Sequence, residues 1–339
     1  MDPTSLSLYC APLEGVTGYV FRQLHRERFP GVDKYFAPFI TPRSRKSFKT
    51  RDRNDLHPDH NTGTVLVPQI LTDDAEGFLT AAQAMADLGY REVNLNLGCP
   101  SGTVTAKGRG SAFLARQPEL ERFLEAVCAK SPLPVSVKTR VGMDYEEEWE
   151  ELLPIFNRYP LSELIIHPRL RRDFYQGAVR MHLFRDAVRQ SVNPVVYNGD
   201  LRTPSDITAL TNEFPELSAV MIGRGLVTDL SLSRQLRGGA AMTAEELKHF
   251  HDDLMNGYRS YLSGERALLF KMKEMWSFWL SLFPNAERGA KHLRKSKNLS
   301  DYSAAVQEIF ASGMVSVSSS SAAYAENVPK TERTVPPSF

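Results

Sequence analysis

A single thiol in a tight turn is the sharpest chemical feature of the chain. Cys99 stands between Gly98 and Pro100, directly after the apolar run 92–97, so a strand end should present its sulfur into the space beyond. Cys10 lies within an apolar run and Cys128 on the apolar side of a helix-like stretch, and both read as packing thiols. No C-x-x-C spacing occurs among the three, which argues against a zinc site or a disulfide framework. A lone Cys without a committed His suits a proton donor better than a nucleophile. Lys138 follows Val135 and Val137 in another apolar run. There it either snorkels at a strand end or faces a site, where it would neutralise a developing anion or form a Schiff base. His167 follows Leu164, Ile165 and Ile166, and a packed core histidine is weighed against a contact with an anion or a ring.

These residues share a position: each closes an apolar run. So do Gln69, Asn96, the Asn198–Gly199–Asp200 triplet and the Gly223–Arg224 pair. The last two groups are the most specific physically. Glycines there let backbone N–H groups approach an anion, and Arg224 adds charge, so a phosphorylated cofactor or substrate is expected.

The elements that must position these ends are short, nearly continuous apolar runs at 7–13, 34–40, 65–70, 92–97, 134–140, 163–168, 194–199 and 219–223. Runs without alternation are the mark of parallel strands covered on both faces. Between them lie amphipathic stretches such as 73–88 and 118–130, with helical spacing of apolar residues. Alternation of this kind gives parallel strands with crossover helices, and a count of eight favours a closed barrel. An open dinucleotide-binding sheet would want a G-x-G-x-x-G turn after the first strand, and Ala11, Pro12, Leu13, Glu14 and Gly15 do not form one. In a barrel of this type, chemistry sits at the C-terminal ends of the strands. The fold expected is thus an α/β (β/α)8 TIM barrel over 1–240, followed by a small all-α C-terminal domain over 241–311. The Ser- and Pro-rich stretch 312–339 reads as a disordered tail.

Composition sets outer bounds. The 339 residues are 42% hydrophobic and 24% charged, ordinary for a soluble globular chain and unlike collagen-like, disordered or disulfide-stapled ones. No apolar run is long enough to cross a membrane, and the N-terminal stretch lacks the pattern of a signal peptide. A cytoplasmic monomer without membrane attachment is the expectation.

At this level of detail the chain resembles the flavin-dependent tRNA-dihydrouridine synthases. The matching pieces are APLEGVT from Ala11, NLNLGCPS from Asn94, VKTRVG from Val137, NGD from Asn198 and MIGRG from Met221. They occur in the family's order over about residues 7–230. The resemblance implies FMN at the barrel mouth. Pro12, Leu13 and Glu14 would line the flavin ring, and Gln69 and Lys138 would contact its polar edge. Asn198, Gly199, Asp200, Gly223 and Arg224 would hold the ribityl phosphate, with His167 close to the flavin. Asn96 would bind the target uracil. NADPH (or NADH) would reduce the flavin, hydride would pass to uracil C6, and Cys99 would protonate C5. The uridine would have to leave its stack to reach the flavin. The chain departs from the family pattern at His167–Pro168–Arg169–Leu170, where a His-Gly-Arg-Thr is usual, at Thr17–Gly18, and in one missing glycine of the stretch 106–111.

Charge distribution bears on the RNA. The total is +1, from 41 Lys+Arg and 40 Asp+Glu. Yet Arg43, Arg45, Lys46, Lys49, Arg51 and Arg53 face only Asp52 within one loop. Arg169, Arg171 and Arg172 follow another strand, and Arg288, Lys291, Arg294, Lys295 and Lys297 form a run in the C-terminal helices. Such runs are commonly solvated faces. Flanking an inferred site, they support tRNA, or another structured RNA, as partner. The stretch 144–151 is acidic and reads as a helix start without RNA contact. Two further readings remain: an FMN barrel acting on a free pyrimidine, as dihydroorotate or dihydropyrimidine dehydrogenases do, and an RNA-binding protein that has lost catalysis.

Overall fold

The computed structural model describes residues 6–42 and 48–315. Its sheet contains nine parallel strands: β1 Ser7–Cys10, β2 Lys34–Phe36, β3 Leu66–Val67, β4 Gln69–Ile70, β5 Val93–Leu97, β6 Val135–Arg140, β7 Leu164–His167, β8 Val195–Asn198 and β9 Ala219–Ile222. They are ordered β3-β2-β1-β9-β8-β7-β6-β5-β4. The two ends of that order are adjacent in sequence, separated only by Pro68. One apolar run, 65–70, therefore supplies both ends, and the ring is a (β/α)8 barrel in which β3 and β4 act as one stave. Proline has no N–H to give the ladder. Its carbonyl accepts Asn94 N–H on the β5 side at 2.9 Å, while Val67 O accepts Ala37 N–H on the β2 side at 3.0 Å.

Crossover helices behave as their spacing predicts. Helix Ala75–Asp87 is capped by Asp74, which accepts Glu76 N–H, and it buries Phe78, Ala81, Ala82 and Met85. Helix Gln117–Lys130 carries Pro118 in its first turn and buries Leu120, Phe123, Leu124 and Val127. Helix Glu148–Asn157 starts inside the acidic stretch, so its first-turn carboxylates meet the positive end of the helix dipole.

The barrel interior is divided. Tyr9, Ala11, Phe36, Val67, Ile165, Val196, Ala219 and Met221 form one buried apolar cluster, from β1–β3 and β7–β9. The wall built by β4, β5 and β6 carries Gln69, Asn94, Asn96, Ser136 and Lys138 instead, and the first four are buried. Asn94 pairs in register with Ser136 and Asn96 with Lys138. Each pair is two residues apart along its strand, hence on the same face.

The chain divides into two compact units. One comprises Met1–Tyr19, Val32–Leu201 and Thr211–Gly223 and includes the whole sheet; the other comprises Val20–Gly31, Arg202–Leu210 and Arg224–Phe339. The second unit is helical, as its periodicity predicts. Its last two helices are Glu287–Lys295 and Leu299–Ala311, with Asn298 capping the second. They cross closely at Gly289, where a Cβ would lie 2.8 Å from Ile309 Cγ1. Buried aromatics fill the core: Trp276 Nε1 donates to Tyr302 Oη at 2.9 Å, and Tyr302 Oη lies 2.7 Å from His251 Nε2. No helix among the described residues is long and apolar enough to cross a membrane.

Candidate active site at the barrel mouth

Cys99 sits in the turn after β5, and Asn96 holds that turn. Asn96 Oδ1 accepts the backbone N–H of Gly98 at 3.0 Å and of Cys99 at 2.9 Å. On the other side, Cys99 O accepts Ser111 N–H at 3.1 Å and Ser111 Oγ at 2.9 Å. Gly110 makes the close approach possible: its φ is +60°, and a Cβ there would lie 2.8 Å from Cys99 O. Burial pushes the Cys99 thiol pKa up, with Glu14 acting in the same sense, while the Ser101 backbone, Arg140 and Lys138 oppose it. The thiol form is therefore favoured, with the Arg140 and Lys138 side chains nearby.

Lys138 lies opposite Asn96 on β6. Burial, and then the Arg140 charge, push its pKa down to about 7, with Cys99 opposing. Among the described residues it has neither a hydrogen-bond acceptor nor a carboxylate partner. A half-buried, desolvated amine of that kind is stabilised by an incoming anion.

Arg140, two residues on, is the positioning element that the sequence reading did not assign. Only 1% exposed, it donates from Nε to Gly98 O at 2.9 Å and from Nη1 to Leu170 O at 2.8 Å. It thereby ties the cysteine turn to the loop after β7. Three strand ends are held together by one guanidinium, whose rigid fork suits the task.

At the end of β7, His167 Nε2 lies 3.0 Å from Arg169 Nη1. Arg169 also donates to both Asp200 oxygens, at 3.1 and 2.5 Å. Arg169 Nη1 can only donate, so Nε2 is the acceptor in this contact. Arg169 is 1% exposed, so it joins the loops after β7 and β8 and offers RNA nothing. The Asp200 carboxylate is thus committed to Arg169. Asn198 donates from Nδ2 to Met221 O at 2.8 Å, bracing β8 on β9. Gly199 packs against the Tyr197 ring with no room for a Cβ. A Cβ at Gly223 would lie 3.5 Å from Ala11 Cβ and 3.9 Å from Leu13 Cδ2, so the ends of β9 and β1 adjoin. Arg224 opens the helix Arg224–Thr228 and belongs to the second unit. Pro12 and Leu13 are half-buried and Glu14 is exposed, in a turn closed by Thr17 Oγ1, which accepts Leu13 N–H at 2.8 Å.

Below the mouth, the polar wall forms a continuous chain. Asn96 Nδ2 donates to Gln69 Oε1 at 2.7 Å, Gln69 Nε2 to Asn94 Oδ1 at 2.8 Å, and Asn94 Nδ2 to Ser136 Oγ at 2.9 Å. Ser136 then donates to Glu92 at 2.6 Å. Lys34 bridges Glu92 and Glu163 at 3.0 and 3.1 Å, and Tyr9 donates to Glu163 at 2.5 Å. Two shallow hollows at the opposite end, beside the starts of β6 and β8, hold no comparable set. No cluster of metal-ligand side chains occurs among the described residues.

Comparison with known proteins places this arrangement. The pattern of the dihydrouridine synthase family matches residues 9–252. The chain belongs to that family. It is 29% identical over 295 residues to a probable tRNA-dihydrouridine synthase 2 of Bacillus subtilis (strain 168), covering 84% of this chain and 86% of that one. It is 27% identical over 294 residues to a probable tRNA-dihydrouridine synthase of Staphylococcus aureus (strain Mu50), with the same coverage. Among solved structures it is similar to the old yellow enzyme from Trypanosoma cruzi, with a TM-score of 0.50 and 12% identity over 76% of this chain and 94% of that one. That likeness is one of barrel fold.

For a dihydrouridine synthase, the departures from the family motif are informative. Leu170 is fully buried; its carbonyl takes Arg140 and its N–H meets Asp173 at 2.8 Å. Pro168 O accepts Arg180 N–H at 2.7 Å. Both residues serve the packing of the loop after β7. Of the basic runs, Arg43, Arg45 and Lys46 lie outside the described residues, as does 316–339 of the expected tail. Lys49, Arg51 and Arg53 are exposed on or next to helix Thr50–Asp55. Lys291, Arg294, Lys295 and Lys297 are exposed in the second unit, and Arg288 pairs with Glu308.

Proposed function

We propose that the chain reduces uridine in tRNA to 5,6-dihydrouridine, with FMN at the barrel mouth, NADPH (or NADH) as reductant and Cys99 as the proton donor. The observation that carries this reading is the Cys99 turn and the Lys138 amine on adjacent strand ends of one mouth, within a dihydrouridine synthase chain. The family, and the names of its relatives in B. subtilis and S. aureus, support uridine in tRNA as the substrate.

The residues present fit a flavin. Lys138 is an amine awaiting an anion, which suits the polar edge of the ring and its negative charge after reduction. Asn198, Gly199 and Gly223, at the ends of β8 and β9, are assigned to the ribityl phosphate. Asp200 and Arg224 adjoin them along the chain, and His167 is braced by Arg169 beside them. Pro12, Leu13 and Glu14 offer the ring a partly apolar rim. When bound there, FMN supplies the two electrons that saturate the C5–C6 bond of uracil.

Everything else falls to side chains of this chain. Asn96 fixes the turn that carries the thiol and keeps one Nδ2 hydrogen for the uracil. Cys99 gives its proton to C5, and the Arg140 and Lys138 charges hold the resulting thiolate until solvent reprotonates it. The overall balance is one uridine, one NADPH and one proton consumed, and one dihydrouridine and one NADP+ formed.

The test is to map dihydrouridine in RNA from cells with and without the gene, then with the gene restored as Cys99→Ala. Specific sites should lose dihydrouridine on deletion and stay unmodified in the Cys99→Ala strain. Loss of the proton donor should slow turnover by roughly 10²–10⁴-fold. Unchanged dihydrouridine after deletion would overturn the assignment.

A further inference from the structure

We infer that the loops after β6 and β7 form a docking platform for the RNA nucleotides that flank the target uridine, with Tyr145 and Phe174 as stacking faces and Arg171 and Arg172 as phosphate contacts. The inference rests on the proposed RNA substrate and adds a surface to it.

Both aromatics are unusually open for their size. Tyr145 is 65% exposed and Phe174 40% exposed. Each has an arginine over its ring: Arg172 at 5.8 Å from the Tyr145 centroid and Arg171 at 5.6 Å from the Phe174 centroid. The loops are paired through their backbones, with Arg171 N–H on Gly142 O at 2.9 Å and Arg172 N–H on Met143 O at 3.1 Å. Phe174 is held at φ +51°, the single non-glycine residue with positive φ among the described residues. A bulky residue seldom adopts that conformation without some compensation from its surroundings.

Charge is what selects the occupant. Most acidic side chains of these loops are already engaged. Glu146 takes Arg180 and His182, Asp173 takes Arg180, and Glu148 accepts the backbone N–H groups of Met143, Asp144 and Tyr145. Arg171 and Arg172 have no ion-pair partner among the described residues. Asp144 and Glu147 are exposed beside Tyr145, so phosphate is assigned to the arginines and only a base face to that tyrosine. Two cations without anions, each lying on an aromatic face, match a ligand that is both anionic and aromatic. A nucleotide is such a ligand, and single-stranded RNA is commonly gripped by stacking of this kind.

Position ties the platform to the chemistry. Arg140 donates to Phe174 O as well as to Gly98 O beside Cys99. A base resting on Phe174 would thus be referenced to the cysteine turn through a single side chain. Uridine drawn out of a helix needs its neighbours held, and this surface is on the side of the barrel where that must happen.

The experiment uses the full-length, flavin-loaded protein and an unmodified tRNA transcript. Binding is measured across a salt series for the parent, Phe174→Ala, Phe174→Trp and Arg172→Gln, alongside flavin retention and flavin reduction by NADPH without RNA. Phe174→Ala should raise Kd by roughly 5- to 100-fold, the loss expected for one base stack. Phe174→Trp should bind as the parent does, and its fluorescence should be quenched by the transcript. Arg172→Gln should reduce the slope of log K against log salt by about 1. Flavin retention and reduction should be the same in all four. Parental Kd and salt slope in both Phe174→Ala and Arg172→Gln would overturn the platform while leaving dihydrouridine formation by the parent intact. Equal loss of binding in Phe174→Trp and Phe174→Ala would also overturn it, since the ring would then act in packing. A parent that binds no transcript would overturn both this inference and the assignment of RNA as substrate.

Discussion

Asn96 Oδ1 accepts the backbone N–H of Cys99 at 2.9 Å. The residue expected to read the uracil thus also sets the conformation of the turn that carries the acid. In the proposed reaction, substrate binding and proton delivery share that one amide, so a change at one should be felt at the other.

Asn96→Ala should free that turn without opening the barrel, because the strand itself remains paired on both sides. A displaced thiol is expected to lower kcat by roughly 10–100-fold. Affinity for tRNA, which rests on a wider surface, should change little. Steady-state kinetics with a transcript, read beside direct binding, check this; equal losses in kcat and in binding would contradict it.

Lys138 should make flavin affinity depend on pH. Its pKa is pushed from 10.5 down to about 7, so without flavin the folded protein binds fewer protons than the unfolded chain between those limits. Stability of the flavin-free protein should therefore rise with pH across that window. An anionic ligand favours the charged amine, so FMN should bind more weakly as pH rises through about 7. Lys138→Met should flatten both dependences. FMN titrations and thermal melts at pH 6, 7.5 and 9 provide the check.

Gly110→Ala places a methyl 2.8 Å from Cys99 O, 2.9 Å from Val104 Cγ1 and 3.2 Å from Cys99 Cβ, at a φ of +60° that costs a non-glycine residue about 1–2 kcal/mol. The substitution should lower the denaturation midpoint modestly. Its larger effect should be on the alkylation rate of the Cys99 thiol, since the turn must move to admit the methyl. Parental alkylation and activity would mean that the turn tolerates the displacement.

Tyr302→Phe removes the group that accepts Trp276 N–H and contacts His251. Both partners are buried. Leaving them unsatisfied should cost about 1–3 kcal/mol, readable as a lower unfolding midpoint. The barrel-mouth chemistry should survive at temperatures well below that midpoint.

Much of this was readable from residue order because parallel barrels write their strands as apolar runs and their sites at the ends of those runs. Cys99, Lys138, Asn96 and the Asn198–Gly199 corner all lie at or just beyond strand ends, where their place in those runs puts them. Arg169 was misread as a surface cation because its neighbours in sequence, Arg171 and Arg172, are basic. Only the fold reveals Asp200 and His167 waiting for it. Arg140 was passed over for the converse reason: its partners are carbonyls, which leave no trace in composition. The break of the third run into β3 and β4 was foreshadowed by Pro68, yet its consequence, closure of the ring within one stave, belongs to topology.

The chain of amides down the barrel has a direction. Glu92 can only accept when ionised, so Ser136 must donate to it, Asn94 must donate to Ser136, Gln69 to Asn94 and Asn96 to Gln69. Each carbonyl oxygen is thereby turned toward the mouth, and at the top the last one meets the N–H groups of the cysteine turn. The polarity of the cysteine turn is dictated from the floor of the barrel, by a carboxylate five links away down the chain of hydrogen bonds.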